Sequence, residues 1–232
     1  MSEANYKNLA TKKRRILGPF GRLLMKLFRW EIKGEIPDLS KMILIGLPHT
    51  AMRDAWYALL AVWSLDLKIN FFGAAWIFTR LPSLFTISKN LDKLGIPWPF
   101  WWLQKYLLLK LGGIPVYRVN SKGLIYGAVE EFKKIDNYIL VIAPEAGTEP
   151  VSEFRSGFYY LAKGLNIPLV PIAIDFKNRC FSIRQHYFVK GTFEEESQKL
   201  IDQFEGVEGL SLIHISEPTR PRLISYAVFC LK

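Results

Sequence analysis

Short apolar runs alternate along this chain with segments of helical period, and that alternation restricts the fold more than any other feature. Met42–Pro48, Leu67–Gly73, Gly113–Arg118, Tyr138–Pro144, Pro168–Ile174 and Cys180–Val189 are short, β-rich and bounded by glycine or proline, as strands are. Between them Asp54–Leu65, Lys122–Ile135, Arg155–Gly164 and Glu194–Phe204 carry helical spacing, and Gly164, Asn166 and Pro168 make a stop for the third of these. Strands alternating with helices predict an α/β fold: a single domain whose mostly parallel central sheet is flanked by helices on both faces. Ligands of such sheets gather beyond the carboxyl ends of the strands. His49 directly follows the first run and Glu145 the fourth, so both fall where a site is expected.

The net charge of +10 is unevenly placed. Residues 1–30 hold Lys7, Lys12, Lys13, Arg14, Arg15, Arg22, Lys26 and Arg29 against the single acid Glu3. A basic start suits an anionic membrane surface or nucleic acid. Phe20, Leu23, Leu24, Leu27 and Phe28 fall near one helical face beside Arg22, Lys26 and Arg29. That pattern fits a helix lying in a membrane interface, and equally one packed on its own domain. No nucleic-acid recognition motif accompanies the charge, so nucleic acid is not expected as a partner. No uncharged apolar run is long enough to span a bilayer; Gly95–Val116 is interrupted by prolines, Lys105 and Lys110. Two distant cysteines, Cys180 and Cys230, support neither a metal site nor a disulfide scaffold.

The chain holds three histidines, His49, His186 and His214, and His49 alone stands at a strand-to-helix junction. An imidazole accepts protons near neutral pH, and a carboxylate five residues on, Asp54, can orient it and stabilise the imidazolium. The bland alternative makes Asp54 a helix cap and His49 an ordinary loop residue. No Gly-x-Ser-x-Gly elbow supplies a serine nucleophile, and Cys180 lies within a strand pattern, so a base at His49 would act on a substrate hydroxyl. Arg118 at a strand end, the turn holding Glu145, Gly147 and Thr148, and Arg155 at a helix start together suggest an anion site, because guanidinium groups and helix-start amides suit phosphate.

From Trp30 to about Gly209 the blocks "WEIKGEIPDLSKMILIGLPHT" with Asp54, "GGIPVYR", "APEAGT" and "RSGFYYLAKGLNIPLVPIAIDF" occur in order. They resemble the glycerol-3-phosphate and lysophosphatidate acyltransferases, most nearly a short bacterial branch. The resemblance implies a glycerolphosphate-acyltransferase-like fold over residues 31–209, preceded by the basic segment 1–30. It implies transfer of a fatty acyl chain from acyl-CoA or acyl-carrier protein to the hydroxyl of a lysophospholipid or glycerol-phosphate acceptor. His49 would be the general base, Asp54 its orienting carboxylate, and Arg118 the contact to acceptor phosphate, joined by Glu145, Gly147, Thr148 and Arg155. Neither metal nor bound cofactor is required, the thioester being a co-substrate. Such an enzyme is expected at the cytoplasmic face of the cell membrane, as a peripheral or monotopic protein on an anionic surface.

Three departures stand out. The family's Pro-Glu-Gly-Thr-Arg is here Pro144-Glu145-Ala146-Gly147-Thr148-Glu149; either Ala146 is inserted or the loop is rewritten, and the arginine is missing in both alignments and replaced by Glu149 in one. That change motivates an alternative, a catalytically impaired, membrane-associated lipid-binding homologue. Arg53 adds a cation beside the base. The distance from His49 to Arg118 is also longer than usual, the extra residues falling in the aromatic stretch 74–102. This stretch reads as an acyl-chain or membrane-contact element, or as locally divergent sequence. From Leu210 onward "LSLIHISEPTRPRLISYAVFCLK" resembles translated sequencing-adaptor read-through, and 210–232 is expected to be a non-native tail.

Overall fold

The computed structural model describes residues 6–47, 52–81, 95–116, 123–145, 154–204 and 207. Among these, nine strands and six α-helices follow one another: α1 (Leu17–Leu27), β1 (Glu31–Lys33), β2 (Lys41–Leu47), α2 (Met52–Ser64), β3 (Ile69–Ala74), β4 (Arg80–Leu81), β5 (Ile96–Pro97), α3 (Trp101–Lys110), β6 (Gly113–Val116), α4 (Leu124–Lys133), β7 (Tyr138–Ile142), α5 (Gly157–Leu165), β8 (Leu169–Asp175), β9 (Cys180–Ile183) and α6 (Phe193–Gln203). A 3₁₀ turn covers Ala75–Phe78.

Seven strands form one sheet in the order β1-β9-β8-β2-β7-β3-β6, and β4 and β5 pair as a separate antiparallel hairpin. The strand β2 is central. It runs parallel to β7, from Lys41 beside Tyr138 to Ile45 beside Ile142, and parallel to β8, from Ile43 beside Leu169 to Leu47 beside Ala173. β3 and β6 continue the parallel order, whereas β9 is antiparallel to β8 and carries β1 at the edge. The expected mostly parallel α/β sheet is thus the architecture found.

The pleat of β2 sorts its side chains between two cores. Ile43, Ile45 and Leu47 join Leu140, Phe132 of α4, Phe158 and Leu161 of α5 and Leu200 of α6. Met42 and Leu44 point the other way, with Ile139, Val170, Leu67 and the early-chain residues Leu9 and Ala10. Beside this second core, Met25 of α1 and Leu60 and Trp63 of α2 pack with Trp30 and Phe181. Helices therefore cover both faces, and continuous apolar strands such as β2 are the result of burial on both sides.

Local signals set the helix ends. The helix α5 stops where the chain placed Asn166 and Pro168: Asn166 is left-handed, at φ 51°, as a residue closing a helix often is. Thr192 and Glu195 cap the start of α6 reciprocally, a capping box. The run Cys180–Val189 is shorter as a strand than its composition suggests. β9 ends at Ile183, and Tyr187 then exchanges backbone hydrogen bonds with Leu169.

The helix α1 is packed on its own domain, though not through the apolar face its sequence displays. It packs on α2 through its smallest residues, Gly18 and Gly21, together with Met25. A Cβ on Gly21 would come within 2.9 Å of Ser64 N and Trp63 Cβ, so only glycine permits this approach. Its large apolar side chains, Phe20, Leu23 and Leu27, stay exposed. The cations nearby are partly structural: Arg22 donates to the Ser64 carbonyl at 3.1 Å, and Arg14 to the Leu67 carbonyl at 3.0 Å. Asp38 accepts the amides of Lys7, Asn8 and Leu9 at 2.9–3.0 Å, and these amides hold its carboxyl below the usual range.

The aromatic stretch holds structure its sequence did not announce. Its last two residues open α3, a helix with no buried residue, which comes after the short β4–β5 hairpin.

Candidate functional site

The parallel strands end on the same side of the sheet, and the turns and helix starts beyond those ends hold the candidate residues. After β2 comes α2, with Asp54 in its first turn. The side chain of Asp54 is fully buried, at 0% exposure. A carboxylate near a helix start is favoured by the helix dipole, but burial on this scale demands direct partners as well. His49 stands two residues past Leu47 and five before Asp54, and lies outside the described residues.

After β7, the neighbour of β2, the chain passes Pro144 and reaches Glu145, only 4% exposed. The start of α5 returns to this turn: the amide of Arg155 donates to the Pro144 carbonyl at 2.8 Å. Two residues at the carboxyl end, one from the turn and one from the helix start, are thereby fixed side by side. The Arg155 side chain itself is exposed, outside the tight packing around Glu145. Gly147 and Thr148 belong to 146–153, and Arg118 follows β6 by two residues; all three lie outside the described residues.

The structure thus places Asp54, Glu145 and Arg155 at the carboxyl ends of adjacent parallel strands. A second buried carboxylate, Glu196, shows what a purely structural acid looks like here. It lies on α6 and accepts the amides of Lys190 and Gly191, both at 3.1 Å. Among the described residues no group of three or more His, Cys, Asp or Glu side chains could hold a metal.

One feature near the site was not legible in the chain. Between the sheet and α2 runs an apolar slot, lined among others by Gly46 of β2, Ala58, Ala61 and Val62 of α2, Ile172 of β8 and Phe181 of β9. It exists because small residues face one another across it: Gly46 on the sheet and Ala58 and Ala61 on the helix leave space that larger side chains would fill. The same helix that carries Asp54 roofs the slot.

No family model matches the chain, and no curated protein does. Among solved structures, the chain is similar to the crystal structure of PlsC, the 1-acyl-sn-glycerophosphate (LPA) acyltransferase of Thermotoga maritima, with 12% identity over 82% of this chain and 79% of that chain and a TM-score of 0.45.

Proposed function

We propose that the chain is an O-acyltransferase that moves a fatty acyl chain from a thioester, acyl-CoA or acyl-carrier protein, to the hydroxyl of a lysophospholipid or glycerol-phosphate acceptor. The observation that carries this reading is the fully buried Asp54 in the first turn of the helix after the central strand, five residues on from His49. In this mechanism one imidazole nitrogen of His49 removes the acceptor hydroxyl proton as that oxygen attacks the thioester carbonyl carbon. Asp54 holds the other nitrogen and stabilises the imidazolium. The tetrahedral intermediate then breaks its C–S bond, and the departing sulfur takes up the proton. Arg118 and Arg155 hold the acceptor phosphate with Glu145, Gly147 and Thr148 shaping the turn beside it. The apolar slot beneath α2 has room for a few methylenes, and in this reading it takes the end of the alkyl chain, which has no polar group to satisfy there.

A lysophospholipid acceptor, and the phospholipid product of either acceptor, belong to a bilayer, and no described helix is long and apolar enough to cross a membrane. The proposed setting is therefore peripheral or monotopic, on an anionic bilayer at the cytoplasmic face. The test is acyl-CoA-dependent acylation of lysophosphatidate by the purified chain. His49→Ala should lower kcat by about 10²–10⁴, the usual worth of a general base. Full activity in that variant would overturn the mechanism.

The acid Glu149, standing where the resemblance calls for arginine, supports a second reading, a lipid-binding homologue with impaired catalysis. An acid there would repel phosphate. On this reading Glu149→Arg creates activity that the native chain lacks. Turnover by the native chain at the rate of the variant removes it.

A further inference from the structure

Among the described residues the helix α3 is covered most along one narrow line. Gln104 and Leu108, one turn apart, are its only half-buried residues, and every other residue of the helix is exposed. Gln104 Nε2 donates to the carbonyls of Ile77 and Arg80, at 2.5 and 3.0 Å, clamping the helix to the 3₁₀ turn and the hairpin. The face opposite Gln104 consists of Trp102, Tyr106 and Leu109, exposed by 58%, 56% and 44%. Lys105 flanks this face on one side and Lys110 on the other, and the Lys110 ammonium lies 5.4 Å from the centre of the Tyr106 ring. Leu81, Ile96, Phe100 and Trp101 extend the apolar surface onto the hairpin and the helix start.

A continuous exposed surface of this kind marks an interaction site, and its chemistry selects the partner. A face built only for another protein's core needs no flanking pair of cations. Tryptophan and tyrosine side by side with lysines is the composition of a headgroup boundary, where amphipathic rings and snorkelling ammonium groups both find their medium. Charge points the same way. Between Leu67 and Val129 stand eight lysines and arginines and one acid, Asp92. The described parts of that stretch, 67–81, 95–116 and 123–129, hold no acid at all. Continuity adds to this. Leu111, just after α3, packs against the cluster built by Met25 of α1 and Trp63 of α2, so α3 flanks the same cluster as the helix whose Phe20, Leu23 and Leu27 also face outward.

We infer that α3, with the β4–β5 hairpin, is a membrane-docking element that seats Trp102, Tyr106 and Leu109 in the interface of an anionic lipid bilayer. The inference takes the lipid setting from the proposed function, but its readout is binding rather than turnover, so the two can fail separately. Docking of α3 brings the bilayer to the β6 edge of the sheet, one strand, β3, away from β7, the strand that Glu145 follows.

The full chain is mixed with phosphatidylcholine vesicles containing or lacking phosphatidylglycerol, and bound protein is measured by sedimentation. The native chain should bind the anionic vesicles, with a blue shift of tryptophan emission and quenching by brominated lipid. Trp102→Ser/Tyr106→Ser/Leu109→Ser should weaken binding about tenfold or more at an unchanged Tm, because none of the three is packed. Lys105→Gln/Lys110→Gln should weaken binding to anionic vesicles and leave the neutral ones unaffected. Binding undiminished in both variants overturns the inference. So does a native dimer that the serine variant dissociates, which would assign the face to a second copy of the chain. A clear drop in Tm in the serine variant also overturns it, by showing that the chain covers this face itself.

Discussion

The amide of Arg155 bonds the carbonyl of Pro144 across 2.8 Å, while the Arg155 side chain points to solvent. Backbone and side chain are therefore separable by mutation: the amide fastens α5 to the turn that carries Glu145, and the exposed guanidinium is the part proposed to meet the acceptor phosphate. Arg155→Ala keeps the amide. We expect its Tm to match the native value and its kcat/KM for a phosphate-bearing acceptor to fall about tenfold, corresponding to one charge-assisted hydrogen bond. Steady-state kinetics beside thermal denaturation check this. A fall in Tm with an unchanged KM would reassign Arg155 to the scaffold.

Asp54 invites the same separation by a different route. Asparagine keeps its shape and hydrogen-bonding reach but lacks the charge that stabilises an imidazolium. Asp54→Asn should retain a cooperative fold and lose activity by about a hundredfold or more. Asp54→Ala should in addition lose about 1–3 kcal/mol of stability, because groups that faced the carboxylate stay buried unpaired. If asparagine supports full turnover, Asp54 serves the helix and not the reaction.

The slot under α2 makes a prediction about the donor. Ala58→Phe places a ring where Gly46 and Ala61 leave space. The preferred acyl chain should become shorter by several carbons, with kcat for the short chain maintained. A competition assay with a mixture of acyl-CoA lengths reads this directly. An unchanged length profile would place the acyl chain elsewhere.

Tyr138 offers a test at alkaline pH. Burial pushes its hydroxyl up to about 12, and an unfolded tyrosine titrates near 10. Between these values the unfolded chain releases the proton while the folded chain retains it, so stability is full below about pH 10 and declines as pH rises to 12. Burial raises Tyr187 in the same direction. Tyr138→Phe should be neutral at pH 7, because the buried hydroxyl has no hydrogen-bond partner among the described residues. Above pH 10 it should unfold at higher denaturant than the native chain. Parallel denaturant curves at pH 7 and pH 11 settle the sign.

The central strands and their helices were legible because burial on two faces leaves unbroken runs such as Met42–Ile45, with turn residues such as Asn166 and Pro168 marking the ends. The helix α3 was not. Helical period is read from contrast between faces, and the stretch Trp101–Lys110 has apolar residues on every face, with Gln104, Lys105 and Lys110 scattered among them. β1 and the β4–β5 hairpin, three and two residues per strand, are too short to show alternation. Pairing with the rest of the chain creates them. Asp54 was legible as a residue and not as a buried one, since a position in the first turn of a helix fits a solvated cap equally well. The slot escaped entirely: Gly46, Ala58 and Ala61 read as ordinary small residues until the sheet and α2 face each other.

The position of β2 has a consequence for how the chain folds. Both of its neighbours, β7 and β8, come from the second half of the sequence. While the ribosome is still making residues up to Tyr138, the central strand has no lateral hydrogen bonds to gain, and its apolar faces have nothing to close upon. Pairings so distant along the chain lengthen the search and delay cooperative folding. The nascent first half, already carrying α1 and α3 with their bare aromatic and leucine faces, spends that interval at risk of aggregation. A bilayer or a chaperone nearby during synthesis would shorten that exposure.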